Sequence, residues 1–367
     1  MKLAVLEPGK SAFLESSASY TYAFREGLAP LGFDIVGRDQ IQQLDTGDIA
    51  IIPRSTRALT STDLQNLSTA GARGITRVLW QTEPLPPSNL TGLSEQLMRS
   101  YVNGRGMFQP TNYGLKRGLS KVADWAVRNV MAADLRRNRY AEAARLPSPK
   151  MLGYPLREAR ALKELWDRNF IDRVFVSLPS RQIYLEKFGI PSTTVPAAYG
   201  PWYGRRLDGI KRDIDVLFLG RVSPRRAHLI DSIRTELGHR GFVLHVVNGD
   251  CYGEDRTQLF NRSKIALVLH NFTWEFPLMR LFMAMSCGAL VVSESALTPP
   301  PFFDDRHLVV TETNRLVDTL ATYLNDEALR TPVINAAYLR ATCELTFTEL
   351  MGRALLEARS VPARVGQ

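Results

Sequence analysis

A short polar segment in the second half of the chain carries the residue types best suited to chemistry. His270, Asn271, Glu275 and Arg280 lie close together in sequence, between two apolar runs. A carboxylate here can accept hydrogen bonds from ligand hydroxyl groups, and an arginine can bind an anion. The segment predicts a ligand-binding loop with Glu275 as a candidate catalytic group, and its candidate binding residues are His270, Asn271, Glu275, Phe276, Pro277 and Arg280.

Each of these residues also has an ordinary structural explanation. Glu275 is a favourable charge at a helix N-terminus, and Arg280 could form a surface ion pair of little energetic value. His270 could be a hydrogen-bonded histidine at a strand end. Taken singly, these explanations are at least as good as a functional one. The convergence of all three side chains in one strand-to-helix loop favours function, because ligands of open α/β sheets bind at the carboxyl ends of the strands.

A second segment, Gly220 to Arg226, has the residue types of an anion site. Ser223 is a typical N-cap and Pro224 a typical first helical residue, so Arg225 and Arg226 fall in the first helical turn. Cations there oppose the helix dipole by roughly 0.3–1 kcal/mol each, whereas a bound phosphate would reverse that cost. The predicted diphosphate-binding residues are Gly220, Arg221, Arg225 and Arg226. The alternative is that these arginines point outward and pair with Asp213 or Asp231.

Other candidates stand at the ends of further predicted strands. Asn248 and Tyr252 follow a strand in the second half and are candidate binding residues. All five histidines lie in that half, so a base from the first half must be another group, such as a carboxylate. Glu7 and Glu83 follow the first and third strands there. Glu83 is the candidate catalytic carboxylate, although capping or solvation of a loop explains both residues more simply.

The chain lacks the sequence patterns of several common binding and catalytic sites. The chain has no Gly-x-Gly-x-x-Gly or Walker A sequence and no Gly-x-Ser-x-Gly motif, so a dinucleotide cofactor or a hydrolase elbow has little support. Three scattered cysteines without a Cys-x-x-Cys pair favour a reducing compartment and no structural zinc. We therefore expect neither a bound metal nor a resident cofactor.

The elements that must position these residues alternate in two blocks. Apolar runs at 2–6, 49–52, 77–80, 173–177 and 193–195 predict strands of the first block, with helices near 20–31, 62–70 and 121–137. Strands at 214–220, 243–247, 265–269, 290–294 and 308–310 form the second, with a helix near 224–237 and two more before residue 359. This alternation predicts an α/β protein with two doubly wound parallel sheets.

Composition and charge restrict the partners. The chain has 367 residues, 45% of them hydrophobic, and no apolar run long enough to cross a membrane. Its net charge of +9 is concentrated in the first half, and residues 101–150 hold 10 basic and 3 acidic side chains. This surplus predicts an anionic partner, which could be a phosphorylated acceptor, an anionic membrane surface or DNA. A solvated basic helix face explains it equally well. Aromatic residues are too sparse there for a single-strand stacking platform.

The second block resembles the donor domain of GT-B glycosyltransferases, in the glycogen-synthase-like superfamily and more closely the CgeB-like group. The resemblance rests on Gly220-Arg221 with Arg226 five residues later, on the strand 265–269 that leads into His270-Asn271, and on Glu275 followed by Cys287-Gly288-Ala289. It covers residues 165–295. In the first block only the layout is similar.

This resemblance implies a nucleotide-sugar donor, with UDP or GDP as the nucleotide. Arg221 and Arg226 would hold the diphosphate and, as candidate catalytic residues, stabilise its charge as the glycosidic bond breaks. Glu275 would face the sugar, and Arg280 would support the loop or a phosphate. The family's second glutamate, which normally binds the donor ribose, is replaced by Met283.

Together these observations predict two Rossmann-like domains facing across a cleft. Residues 1–200 would bind the acceptor, residues 205–340 the donor, and residues 341–367 would form a C-terminal helix packing back on the first domain. The expected activity is sugar transfer to a glycan, lipid-linked or other acceptor. We expect this transfer to retain the anomeric configuration and to need no metal ion, and we expect the protein to be cytoplasmic. Alternatives are a glycosyltransferase acting on modified DNA bases and an inactive nucleotide-sugar-binding protein.

Overall fold

The structure, a computed structural model, describes residues 1–8, 18–53, 56–104, 125–134, 149–249, 251–361 and 364. These residues form two compact units. The first comprises the described residues up to 134, those of 149–196, and those from 350 onward. The second comprises the described residues of 197–349. Most of the basic stretch 101–150, including the ends of the helix expected at 121–137, lies outside the described residues.

A six-stranded parallel sheet forms the centre of the first unit, in the order β2-β1-β3-β4-β5-β6. Its strands are β1 (Lys2–Val5), β2 (Asp34–Gly37), β3 (Ile49–Pro53), β4 (Thr76–Gln81), β5 (Arg173–Val176) and β6 (Thr193–Thr194). The central strand β3 is buried along its whole length. Continuous apolar runs of this kind are typical of parallel strands that are covered on both faces.

Helices connect these strands. They are α1 (Tyr20–Leu28), α2 (Ser61–Ala72), α3 (Gly92–Val102), α4 (125–134), α5 (Pro149–Asp167) and α6 (Pro179–Glu186), with short 3₁₀ turns at Ala29–Leu31, Arg38–Gln43 and Thr56–Ala58. The connection from β4 to β5 is the longest and contains α3, α4 and α5.

The second unit is built on a five-stranded parallel sheet in the order β11-β10-β9-β7-β8. Its strands are β7 (Ile214–Leu219), β8 (Leu244–Val247), β9 (Ser263–Val268), β10 (Leu290–Glu294) and β11 (Val309–Thr311). Its helices are α7 (Pro224–His239), α8 (Gly253–Arg262), α9 (Leu278–Ser286), α10 (Leu316–Asn325), α11 (Glu327–Leu339) and the start of α12 (Phe347–Ser360), with 3₁₀ turns at Pro201–Tyr203 and Thr313–Arg315 and a π turn at Arg340–Glu344.

The sheet order places the ends of β7, β9 and β10 side by side, because β9 pairs with both of the other strands. All three strands run in the same direction, so the residues that follow each of them emerge at one edge. Phe218, Leu267 and Val292 anchor these strands in a shared apolar core. The loops that begin at Gly220, His270 and Ser295 are therefore neighbours in space, although they are far apart in sequence.

The predicted α/β class with two parallel sheets is confirmed. Strand β2 was not predicted from the sequence, because its two apolar residues are too few for a periodic signal. Helix α5 was not predicted either, because Pro149 and Pro155 fall within a helical pattern. Proline is tolerated in the first turn of a helix, and the apolar face continues past Pro155. None of the described helices is long and apolar enough to cross a membrane.

Gly288 ends helix α9 in the way the sequence predicts. It has φ +71°, and the Ala289 N–H donates to the Ala284 carbonyl at 3.0 Å, closing the last turn. A Cβ at this glycine would lie 2.8 Å from both Arg206 Nε and Arg212 Nη2. The positive φ therefore favours glycine here, and a side chain would also displace the ends of Arg206 and Arg212.

We expect Gly288→Ala to lower the free energy of unfolding by about 1–3 kcal/mol, because it adds left-handed strain and crowding. Gly238→Ala is the matched control, since Gly238 lies in helix α7 and a Cβ added there would have no other atom within 4 Å. Alanine there should stabilise the helix by about 0.5–1 kcal/mol. Urea unfolding of both variants measures the difference, and equal stabilities would contradict this account of Gly288.

Candidate functional site

The loop after β7 brings the backbone close to an arginine from another element. Gly220 has φ +138°, and its N–H donates to the Val247 carbonyl at 3.0 Å. A Cβ at Gly220 would overlap the guanidinium of Arg280, with Arg280 Cζ only 2.7 Å away. Glycine at the end of β7 thus allows a side chain from helix α9 to lie against the β7 loop.

Arg226, in the first turn of α7, is buried in the same region. Its Nε donates to the Leu269 carbonyl at 3.0 Å, and its Nη1 donates to the Arg221 carbonyl at 2.9 Å. Burial, and then the neighbouring Arg280, lower the pKa of Arg226 to about 9. The guanidinium remains charged at neutral pH, and its two backbone contacts fix it between the ends of β7 and β9.

Arg280 has even fewer partners. Its Nη1 is buried and has no hydrogen-bond partner among the described residues. Burial lowers its pKa to about 10, so it too is charged at neutral pH. Neither Arg226 nor Arg280 forms an ion pair with a carboxylate of the described part of the chain. The charge of Glu294 acts on Arg226, but that carboxylate is already paired with Arg225. Two neighbouring cations without an ion-pair partner of their own make this place attractive to an anion.

Ser223 adds a free hydroxyl to the same place. It is the N-cap residue of α7, as predicted, but its side chain makes no capping hydrogen bond. Its Oγ is buried and has no partner within the described residues. A helix N-terminus already offers N–H donors and positive potential to an anion. The N-terminal end of α7 therefore combines a helix dipole, a free hydroxyl and two guanidinium groups.

Arg225 is engaged within the protein. Its Nη1 donates to Glu294 Oε1 at 2.8 Å and to the His270 carbonyl at 2.9 Å, and its Nη2 forms the second half of a bidentate ion pair with Glu294. The alternative that Arg225 and Arg226 point outward toward Asp213 or Asp231 is wrong, because both arginines are buried. Those two aspartates pair instead with Arg262 and Arg234.

His270 is fully buried directly after β9. Its Nδ1 lies 2.8 Å from the Glu275 carbonyl, and its Nε2 lies 2.8 Å from the Glu294 carbonyl and 3.0 Å from Ser293 Oγ. The ring also packs edge-on against Phe276 at 4.7 Å. Both nitrogens are thus occupied by the protein, so His270 holds the loop rather than facing a ligand.

The rest of the opening loop turns into helix α9. Glu275 is buried, with 8% of its surface exposed, and its N–H donates to the Phe272 carbonyl at 3.2 Å. Asn271 is half-buried at the start of the loop. Pro277 is the N-cap residue, so the helix begins one residue later than expected. The face predicted to be core is confirmed, since Leu278, Leu281, Phe282 and Met285 are buried.

Three other predicted binding residues lie around this region or in the next loop. Arg221 is exposed, with its carbonyl bound by Arg226. Asn248 Oδ1 accepts a hydrogen bond from the Val222 N–H at 2.9 Å, which ties the loop after β8 to the loop after β7. Tyr252 is 48% exposed. Met283 is half-buried in α9, three residues beyond Arg280.

The candidate carboxylates of the first unit have different roles. Glu7 is buried and accepts hydrogen bonds from Ser19 Oγ at 2.7 Å and from the Thr21 N–H at 2.8 Å. It therefore caps helix α1, which is the simpler of the two explanations. Glu83 is half-buried after β4, and its carbonyl accepts from Gln81 Nε2 at 3.0 Å. Its role as a base stays a prediction.

Two residues of the candidate site were not recognised from the sequence. Ser223 was identified only as a helix cap, and Glu294 only as the end of a strand. A glutamate at the end of a buried apolar strand is costly without a partner, and this could have drawn attention to Glu294. Among the described residues, no group of three or more His, Cys, Asp or Glu is arranged to hold a metal ion.

Burial lowers the pKa of His270 below its usual 6.5, although nearby Glu294 opposes the shift. The unfolded chain then takes up this proton first as the pH falls, so the stability contributed by neutral His270 is complete above about pH 6.5 and lost below it. We expect the free energy of unfolding to fall more steeply between pH 7 and pH 5 in the wild type than in His270→Asn. Denaturant titrations across that range measure both slopes, and identical slopes would contradict the assignment.

Residues 224–355 match the family model described as glycosyl transferase-like. No curated protein matches the chain. Among solved structures, TarM of S. aureus is similar with a TM-score of 0.53 and 11% identity over 94% of this chain and 58% of that one. This chain therefore spans less than two thirds of TarM.

Two other solved structures match over nearly their whole length. Anabaena HepE in complex with UDP and glucose has a TM-score of 0.51 and 14% identity, covering 98% of this chain and 100% of that one. Sucrose-phosphate synthase from Thermosynechococcus elongatus has a TM-score of 0.50 and 11% identity, covering 98% and 99%. Identities this low establish the fold alone. The chain has the GT-B fold, and its residues 224–355 match the model of a glycosyl transferase-like family.

Proposed function

We propose that this chain is a glycosyltransferase that takes its sugar from a nucleoside-diphosphate sugar. The observation that carries the proposal is the pair Arg226 and Arg280, two neighbouring cations without a described carboxylate partner at the N-terminus of α7. A diphosphate supplies the missing negative charge and the acceptor oxygens for Arg280 Nη1 and Ser223 Oγ. The match of residues 224–355 to a glycosyltransferase family supports the same ligand.

The proposed chemistry is electrostatic. As the acceptor hydroxyl oxygen bonds to the anomeric carbon, the bond between that carbon and the diphosphate oxygen breaks. Its electron pair stays on the diphosphate, which also takes up the hydroxyl proton. Preorganised guanidinium groups and a helix N-terminus stabilise that growing charge more strongly than the intact donor. Since these groups supply the positive charge, we propose that the reaction is metal-independent. Glu275, at the start of α9, would accept hydrogen bonds from the donor sugar.

The stereochemistry and the acceptor are further parts of the proposal. We propose retention, in line with the family resemblance, whereas Glu83 acting as a base would give inversion. TarM in a second structure is in complex with Fondaparinux, alpha-GlcNAc-glycerol and UDP, and HepE with UDP and glucose. By analogy, we propose UDP as the nucleotide and a glycan as the acceptor.

Arg280→Met tests the diphosphate site with little structural disturbance, because Arg280 Nη1 has no partner to lose in the described part of the chain. Removing a charged hydrogen-bond donor from a phosphate costs about 1.5–3 kcal/mol. We therefore expect UDP or GDP to bind roughly 10–100-fold more weakly by calorimetry, and donor hydrolysis to fall with it.

Arg234→Ala is the matched control, since it also removes one positive charge from helix α7 but at an exposed position paired with Asp231. Its nucleotide affinity should stay within about twofold of the wild type. Equal affinity in Arg280→Met and the wild type would contradict the diphosphate role. Nucleotide binding without turnover on any acceptor would favour the inactive sugar-nucleotide-binding alternative instead.

A further inference from the structure

The hydrogen bonds of His270 assign its tautomer, because the neutral ring carries one proton for two nitrogens. Nδ1 lies 2.8 Å from the Glu275 carbonyl, which can only accept. Nε2 faces the Glu294 carbonyl at 2.8 Å but also Ser293 Oγ at 3.0 Å, a hydroxyl that can donate to it. The Ser293 hydroxyl also has the Glu294 carbonyl at 3.0 Å and the Val268 carbonyl at 3.3 Å as acceptors. A carbonyl faces each ring nitrogen, but a hydroxyl is within reach of Nε2 alone, so we assign the proton to Nδ1. The ring donates to the loop and accepts from strand β10.

The backbone of His270 is held as firmly as its ring. Its N–H donates to the carboxylate of Glu294, and its carbonyl accepts from Arg225. Glu294 and Arg225 are themselves joined by the bidentate ion pair, and both are buried. The histidine is consequently fixed to β10 on one side and to α7 on the other, which makes it a rigid point at the edge of the sheet.

The loop that follows His270 is held at several points. The Leu297 N–H donates to the Thr273 carbonyl at 2.9 Å, and the Glu275 N–H donates to the Phe272 carbonyl within the loop at 3.2 Å. The carbonyl of Glu275 accepts from the imidazole Nδ1. This last hydrogen bond ties the Glu275 backbone to the end of β9, and so to the rigid edge of the sheet.

We propose that His270 is a positioning residue that sets the place of Glu275 against the donor sugar through its Nδ1–H bond to the Glu275 carbonyl. The inference rests on the proposed function, because it needs a donor sugar beside Glu275. It concerns only the sugar half of the donor. The diphosphate half is held by Arg226, Arg280 and Ser223, none of which hydrogen-bonds to the imidazole.

Two substitutions separate the two sides of the ring. Asparagine places its amide nitrogen the same number of bonds from Cβ as Nδ1, so His270→Asn can keep the donor to Glu275. Glutamine reaches instead to the place of Nε2, so His270→Gln keeps the contact with Ser293 and loses the one with Glu275. Both variants are neutral amides, which makes each the control for the other.

The readout is the ratio of two dissociation constants, UDP-glucose over UDP, measured by calorimetry on the full chain. If GDP binds instead of UDP, GDP-mannose and GDP replace them. We expect His270→Gln to raise this ratio about tenfold while affinity for the free nucleotide stays within about twofold. We expect His270→Asn to keep the wild-type ratio. A general loss of structure would weaken both ligands together and leave the ratio unchanged.

The outcomes separate this inference from the function on which it rests. An unchanged ratio in His270→Gln, or an equal loss for both ligands, overturns the positioning role while nucleotide binding by the wild type still supports the donor site. A ratio raised equally in His270→Asn and His270→Gln also overturns it, since the Nδ1 donor would then be irrelevant. If the wild type binds neither nucleotide, the proposed function fails, and the positioning role fails with it.

Discussion

The constraint on which the second unit depends is the burial of guanidinium groups at one edge of a parallel sheet. Removing a cation from water costs several kcal/mol unless a partner compensates for it. Arg225 finds that partner in Glu294. Arg226 has two backbone carbonyls, and Arg280 has an Nη1 with no partner in the described structure. The uncompensated charge is therefore localised at the β7 loop, where an anionic ligand would complete it.

Strand order turns distant sequence segments into one site. Because β9 lies between β7 and β10, the loop carrying Glu275, the loop carrying Ser223 and the end of β10 carrying Glu294 emerge together. Gly220 lets Arg280 approach the end of β7, and the Arg225–Glu294 pair links α7 to β10. His270 then connects that rigid pair to the Glu275 loop. Charge, backbone geometry and strand order thus support the same arrangement.

The sequence predicted the elements better than their contacts. Apolar runs such as 214–220 and 265–269 identified strands, and Pro224 and Gly288 marked helix ends, because these signals are local. The burial of Arg225 against Glu294 could not be predicted, since the pair is 69 residues apart in sequence and depends on the order of strands. Ser223 was read correctly as a cap position, but its free hydroxyl reflects local geometry that residue type does not reveal. The expectation that Met283 takes the place of a ribose-binding glutamate rests only on the family resemblance and stays a prediction.

We propose that Arg226, Arg280 and Ser223 form the diphosphate site of a sugar donor. A crystal structure of the protein with UDP or GDP bound is the decisive measurement. We expect phosphate oxygens within about 3.2 Å of Arg280 Nη1 and Ser223 Oγ, with the diphosphate next to Gly220. A nucleotide bound elsewhere, with Arg280 Nη1 still unpartnered, would contradict it.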